Sequence, residues 1–354
     1  MMKRALSTWF MCVAVAAGVL TIVLAMRTFA AASVIADPTP RLGILVPIGP
    51  PDYAVLIDAL NDRQSIQDGP YTYQTGTISG VAVVLIIQPS DGDVIRSLGA
   101  QEMLRALNVR ALIYPGTSGA QLSKGEMGIG DIVLGAKTIN NSSYYISPSG
   151  AINPGQYAAV QPDVKHYGEI YADPKVLGML ACAANRVAAS TTLPGWLENT
   201  ANDGHPGIFY FGAQGSSTIW SDNLAYTKAI RDVYHQVDED GDWDSALVAT
   251  LWNVPFIEVS VISDSIFAFP NDSHGVPRHP AGETAANVVA QRLSDRIVLD
   301  LIARDGRRLL AGTYANSLID PYSADAFARP HDPQALLSTC QHEAFRASRR
   351  RRSG

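Results

Sequence analysis

Short runs of consecutive apolar residues, each closed by glycine, proline or a polar turn and interleaved with segments of helical spacing, limit this chain to a layered α/β architecture. Arg41–Ile48 (RLGILVPI) stops at Gly49-Pro50-Pro51, and Val109–Tyr114 stops at Pro115-Gly116. Asp131–Thr138, Ile208–Phe211 and Phe256–Ser263 repeat the pattern, and each reads as a buried strand. Tyr71–Ile78 and Val81–Gln88, joined by Ser79-Gly80, read as a hairpin. Helical spacing covers Tyr53–Leu60, Asp93–Leu107, Pro174–Ala189, Asn223–Tyr234, Trp243–Leu251 and Glu283–Arg304. The expected fold is a single α/β domain over 41–304, a central mixed β-sheet flanked by helices, with no internal repeat and no second core. The long polar loops 140–173 and 191–207 are expected to frame a cleft.

The flanks bear on compartment. Lys3 and Arg4 precede the apolar run Leu6–Met26, and Ala30-Ala31-Ala32 offers a small-residue cleavage site. Residues 1–32 therefore read as a signal peptide. The run is long and Arg27 follows it directly, so an uncleaved membrane anchor is the rival reading. In either case the folded part is exported: periplasmic, extracellular or membrane-anchored. Residues 33–40 form a spacer and 305–354 a C-terminal extension whose basic tail, Arg349–Arg352, reads as solvated. A formal net charge of -6 gives no electrostatic reason to bind nucleic acid. Cys12 lies in the export segment. Cys182 and Cys340 share a disulfide-permissive compartment, where a bridge and a buried free thiol at Cys182 are both compatible with the sequence. No Cys/His cluster has metal-ligand spacing, so neither metal nor cofactor is expected.

Acidic residues beside strand ends carry the candidate chemistry. Asp264 closes the run FIEVSVIS, where a carboxylate faces a sheet edge or caps a turn. Asp238-Glu239-Asp240 precede a helix, where their structural role would be to complement its dipole. Asp52 follows a Gly-Pro-Pro turn and would otherwise be an N-cap. Gly116-Thr117-Ser118-Gly119 reads as a small-residue turn that lets backbone approach a ligand.

The order of these pieces resembles the nucleoside phosphorylase family, especially its methylthioadenosine/S-adenosylhomocysteine nucleosidase branch and the related plant storage proteins. The segments are RLGILVPIGPPD, SDGDVIRSLGAQ, YPGTSGAQLSKGEMGIGDIVLG, FGAQGSSTIWSDN, VDED and NVPFIEVSVISD, and the resemblance covers about Arg41 to Ala303. The resemblance implies hydrolysis of the N-glycosidic bond of a purine-type nucleoside. Asp264 would protonate the leaving base, and Asp52 would orient or deprotonate water. Asp240 and its neighbour Glu239 would hold the ribose, and Gly116, Thr117 and Gly212 would border base and sugar. It also implies a homo-oligomer. The chain departs from the family pattern in carrying Asp in place of Glu at 52 and 240. The aromatic expected to stack on the base is missing near Gly215, with Phe211, Trp220 and Phe267 as substitutes. Spacing leaves Asp244 as a second choice for the ribose acid. Phosphorolysis, with phosphate as co-substrate, is the alternative. Phosphorylases of the family carry Arg just before the glycine turn, whereas Tyr114 and Pro115 stand here, with Arg96 as another cation. A non-catalytic nucleoside-binding or storage protein on the same fold is the third reading.

Overall fold

The computed structural model of the chain describes residues 37–46, 54–87, 93–123, 125–142, 144–149, 152–154, 167–197, 204–217, 223–239, 241–265, 280–323, 325–333, 336 and 340. The strands are β1 (Asp37–Leu45), β2 (Asn61–Asp68), β3 (Tyr71–Ile78), β4 (Val81–Ile87), β5 (Leu107–Ala120), β6 (Ile132–Asn140), β7 (Tyr144–Ile146), β8 (Ile152–Pro154), β9 (Glu169–Tyr171), β10 (Ile208–Ser216) and β11 (Phe256–Ser265). The helices are α1 (Ala54–Asp58), α2 (Asp93–Ala106), α3 (Pro174–Ala189), α4 (Leu224–Tyr234), α5 (Trp243–Leu251) and α6 (Pro280–Ala311).

Among the described residues nine strands form one mixed sheet in the order β10-β6-β11-β5-β1-β4-β3-β2, with β9 pairing β6. The centre is parallel: β1 pairs β4 and β5, and β5 pairs β11. The hairpin β3–β4 and the β6–β11 contact are antiparallel. Each buried strand feeds both sheet faces, which is why its sequence is a continuous apolar run. On one face Leu42, Ile44, Val83, Ile113 and Val259 pack under α3 and α6, through Leu177, Leu293, Ile297 and Leu301. On the other, Val84, Ile86, Leu112 and Tyr114 pack under α2 and α5, through Met103, Leu104, Ala246 and Ala249. The expected single α/β domain with a mixed sheet is the observed one.

Several elements differ from the expectation. The edge strand β2 (NDRQSIQD) is exposed along most of its length and carries no apolar alternation to announce it. Its pairing with β3 makes it a strand. β1 begins at Asp37, inside the presumed spacer. The presumed turn at Gly116–Gly119 is strand interior, since β5 runs unbroken through Pro115 to Ala120. Pro115 is tolerated by register. Leu112 donates its N–H towards β11, so alternate residues do so, and Pro115 falls on the opposite side, beyond the last β1 partner Ile113. The strand expected over Ile208–Phe211 is longer than its apolar run, because β10 stays paired with β6 through Ser216. The final helix passes Arg304 and ends at Ala311.

The C-terminal segment packs onto the domain. The Tyr210 N–H donates to the Pro330 carbonyl at 2.7 Å, and the Tyr322 hydroxyl to the Ala172 carbonyl at 2.7 Å. Ala326 and Leu336 join the main core. Cys340 forms a disulfide with Cys182 of α3, resolving the choice the sequence left open. Among the described residues no helix is long and apolar enough to cross a membrane. The run Leu6–Met26 lies outside them.

Candidate functional site

The site forms where β5 and β11 run side by side to their ends. In their parallel register Ser260 faces Gly116, Val261 faces Thr117 and Asp264 faces Gly119. Residues 236–239 close the gap between β5 and β10. Asp238 bridges to Ala120 on one side and to Gln214 on the other. The Glu239 N–H donates to the Gly119 carbonyl at 3.1 Å, and the Gly215 N–H to the Asp238 carbonyl at 3.0 Å.

Gly119 is the pivot. A Cβ placed there would stand 2.9 Å from Asp264 Oδ1 and 3.1 Å from Glu239 Oε1. The two carboxylates therefore converge on one point, their oxygens no further apart than the sum of those distances. A side chain at 119 would displace one or both. Gln121 fixes the Glu239 side by donating from Nε2 to Oε2 at 2.7 Å, and Gln236 in turn donates to Gln121 Oε1 at 2.6 Å.

Behind this pair lies a buried polar cluster. Asp238, fully buried, accepts from the Ser118 hydroxyl at 2.7 Å and from Gln214 Nε2 at 3.1 Å. Gln214 also donates to Ser260 Oγ at 2.9 Å. Glu258, buried on β11, accepts from the Thr138 hydroxyl at 2.8 Å and from the Asp242 N–H at 2.8 Å. Burial, reinforced by Asp242 and Asp238, pushes the Glu258 carboxyl up to about 8, against the pull of those two hydrogen bonds. Such a group is best satisfied as a neutral acid at neutral pH.

The sequence-derived candidates divide as follows. Asp264, Glu239, Gly116 and Thr117 share the β5–β11 edge. Gly212 lies in the β10–β6 contact, where a Cβ would meet Val133 Cγ1 and the Leu134 carbonyl, so its smallness serves strand packing. Asp52 and Asp240 lie outside the described residues, as do Trp220 and Phe267. Phe211 is buried edge-on against Tyr322 and Phe327. Arg96 donates to the Tyr114 hydroxyl at 2.8 Å and stands 5.6 Å from that ring's centre. Asp242, not the preceding acidic triplet, caps α5 by accepting from the Ser245 N–H. Asp244 follows in the helix's first turn. Ser118, Gln121, Gln214, Glu258 and Ser260 were missed. The available signal was a glutamate and a serine inside the otherwise apolar FIEVSVIS, a pattern a fully buried strand carries only when those groups find partners.

A cavity of about 1150 Å³ on the far side of Gln236 is lined by Phe209, Arg231, His235, Gln236 and His331, but not by Asp264, Glu239 or Gly119. The convergent carboxyl groups locate the site better than the size of this void, because proton transfer requires a titratable group within reach. Among the described residues no group of three or more His, Cys, Asp or Glu is placed to hold a metal ion.

Residues 41–189 match the model of the Phosphorylase superfamily. The 5'-methylthioadenosine/S-adenosylhomocysteine nucleosidase of Neisseria meningitidis, solved with methylthio-immucillin-A, is 16% identical over 75% of this chain and 98% of its own, with a TM-score of 0.54. The S-adenosylhomocysteine nucleosidase of Streptococcus pyogenes, solved with 5-methylthiotubericidin, is 16% identical over 76% and 98%, with a TM-score of 0.56. The futalosine hydrolase of Helicobacter pylori is 13% identical over 74% and 97%, with a TM-score of 0.53. A comparison with curated proteins finds no match. At these identities the likeness to the solved structures is one of fold. The match over 41–189 and the motif resemblance point to the same superfamily.

Proposed function

We propose that the chain hydrolyses the N-glycosidic bond of a purine-type nucleoside, with Asp264 as the acid. The observation that carries this reading is the convergence of Asp264 and Glu239 over Gly119, from segments 25 residues apart in sequence. In the reaction the C1′–N bond breaks, the Asp264 proton passes to a ring nitrogen of the departing base, and water adds to C1′. Its proton leaves through Asp52, so free base and reducing sugar are the products. Asp240 and Glu239 hold the ribose hydroxyls. Engagement of Arg96 by Tyr114 favours water over phosphate as nucleophile. The nucleosidase and hydrolase activities of the structural neighbours agree with this choice. Export from the cytoplasm would make external nucleosides the substrates, and self-association would complete the assembly.

The test is release of free base from a panel of purine and thioether nucleosides, with and without phosphate. Hydrolysis without phosphate is expected. Asp264→Asn should abolish release while nucleoside binding survives, because the amide keeps the shape but supplies no proton. An Asn variant that still releases base at the wild-type rate refutes the role of Asp264. Binding with no release across the panel moves the protein to the binding-protein reading.

A further inference from the structure

We infer that Glu258 is a positioning residue that holds Asp242, and through the adjoining chain Glu239, against the β5–β11 edge, so that the site loosens when this carboxyl ionises. The inference rests on the proposed site, but not on the identity of its substrate.

The position invites an apolar side chain. Its neighbours Phe256, Ile257, Val259, Val261 and Ile262 are all buried hydrophobics, and Glu258 itself is 1% exposed. A carboxyl in such a place is costly unless its oxygens do something an aliphatic chain does not. Both do. One oxygen takes the Thr138 hydroxyl of β6; the other takes the backbone N–H of Asp242. Gly135 of β6 provides the space, since a Cβ there would lie 2.8 Å from Glu258 Cβ. From Asp242 the chain of contacts leads to the site. The Gly241 N–H donates to the Gly215 carbonyl at 2.8 Å, and the Glu239 N–H to the Gly119 carbonyl. Asp242 is itself fixed as the α5 cap. Glu258 thus ties this turn to β11, on which it stands, and to β6, beside Gln214, which ties it to β10 and β11.

Burial beside two aspartates makes the clamp sensitive to charge, although its two hydrogen bonds by themselves favour the carboxylate. Against Glu258 stand Asp242 and Asp238 of the turn and, in register on β5, Tyr114 with Arg96 of α2 on its hydroxyl; Asp244 lies in the first turn of α5, and Tyr71 and Tyr73 of β3 share this face farther off. β6 contributes Thr138 and β10 contributes Gln214, neither of which ionises. An ionised Glu258 would face Asp242 and Asp238 across the turn it holds. Its carboxyl is raised from 4.5 to about 8, so its contribution to stability is complete below about pH 4.5 and is lost as pH rises through about 8. The turn it holds should therefore open more readily at alkaline pH.

Two variants and two readouts test this in the full chain. Glu258→Gln retains an acceptor for the Asp242 N–H and presents its NH2 to the Thr138 hydroxyl, but does not titrate. Glu258→Leu keeps the bulk and removes the acceptor. Hydrogen exchange of the peptide spanning 236–244 should be on the order of tenfold faster in the Leu variant and unchanged in the Gln variant. Wild-type exchange in that peptide should accelerate through about pH 8 and that of the Gln variant should not. With an active nucleoside substrate, kcat should follow the same pH pattern, with the alkaline fall absent in Gln. A Leu variant that exchanges like wild type, or a Gln variant with the wild-type pH response, overturns the inference. A wild-type protein that hydrolyses nothing yet shows the exchange pattern refutes only the proposed reaction.

Discussion

Removing the Cys182–Cys340 bridge should destabilise the protein by a few kcal/mol without disturbing its native packing. The two residues are 158 apart in sequence. In the chain-entropy model, closing a loop of that size removes about 17 cal/mol/K from the unfolded ensemble, or about 5 kcal/mol at 25 °C. Native contacts set how much of this is realised. The segment leading to Cys340 is held independently of the bridge. Ser317 and Tyr171 exchange two backbone hydrogen bonds, Tyr322 reaches Ala172, and Pro330 receives the N–H groups of Tyr210 and Phe211. Cys182 is 2% exposed in α3, so a pair of serines there would also bury polar groups. A loss of roughly 2–4 kcal/mol is therefore expected for Cys182→Ala/Cys340→Ala, whose small apolar side chains isolate the cross-link. Equilibrium urea unfolding of oxidised wild type and of the variant is the assay. The variant should unfold at lower urea with a somewhat larger m-value, because its denatured chain is less constrained. Equal midpoints would refute the magnitude. Thiol labelling of the unfolded, unreduced wild type at Cys182 and Cys340 would refute the bridge itself.

Two further outcomes follow from local geometry. Gly119→Ala introduces a carbon 2.9 Å from Asp264 Oδ1, so the carboxyl pair must move by a few tenths of an ångström; base release should fall about 10- to 100-fold while thermal unfolding shifts little, and an unimpaired kcat would show that this pair is not the reacting site. Asp131 is 1% exposed and accepts from the Gly128 and Gly207 N–H groups at 2.8 and 2.7 Å, joining the turn before β6 to the entry of β10. Asp131→Ala should cost roughly 3 kcal/mol in urea unfolding, and a loss below about 1 kcal/mol would mean that water replaces both contacts.

The legibility of this protein follows the range of the forces involved. RLGILVPI and FIEVSVIS could be recognised as core strands because an unbroken apolar run must be buried wherever the chain takes it. Pro174 and the preceding Asp173 mark the start of α3 for a local reason, since a proline at N1 needs no N–H partner and the aspartate caps the next amides. By contrast, nothing within NDRQSIQD demands a strand; the partner β3 does. Pro115 looked like a terminator because proline lacks a donor, and only the sheet register showed that the missing donor points away from β11.

The site divides in the same manner. Asp264 and Glu239 could be proposed from their motifs, because titratable groups beside strand ends and small residues have a limited set of uses. That they meet over Gly119 depends on the β5–β11 register and on the bridge from Asp238 to Ala120 of β5, relations between residues more than a hundred positions apart, and on the nearer bridge from Asp238 to Gln214 of β10. The sequence alone determined the layered fold, its apolar strands and most of its helix positions, since these arise from burial and from backbone preferences of near neighbours. Tertiary structure alone decided the pairing of Cys182 with Cys340, the strand character of Gly116–Gly119 and the partners of buried Glu258. Hydrogen bonds, disulfides and steric contacts act over a few ångströms, and only the folded chain brings distant residues within that range.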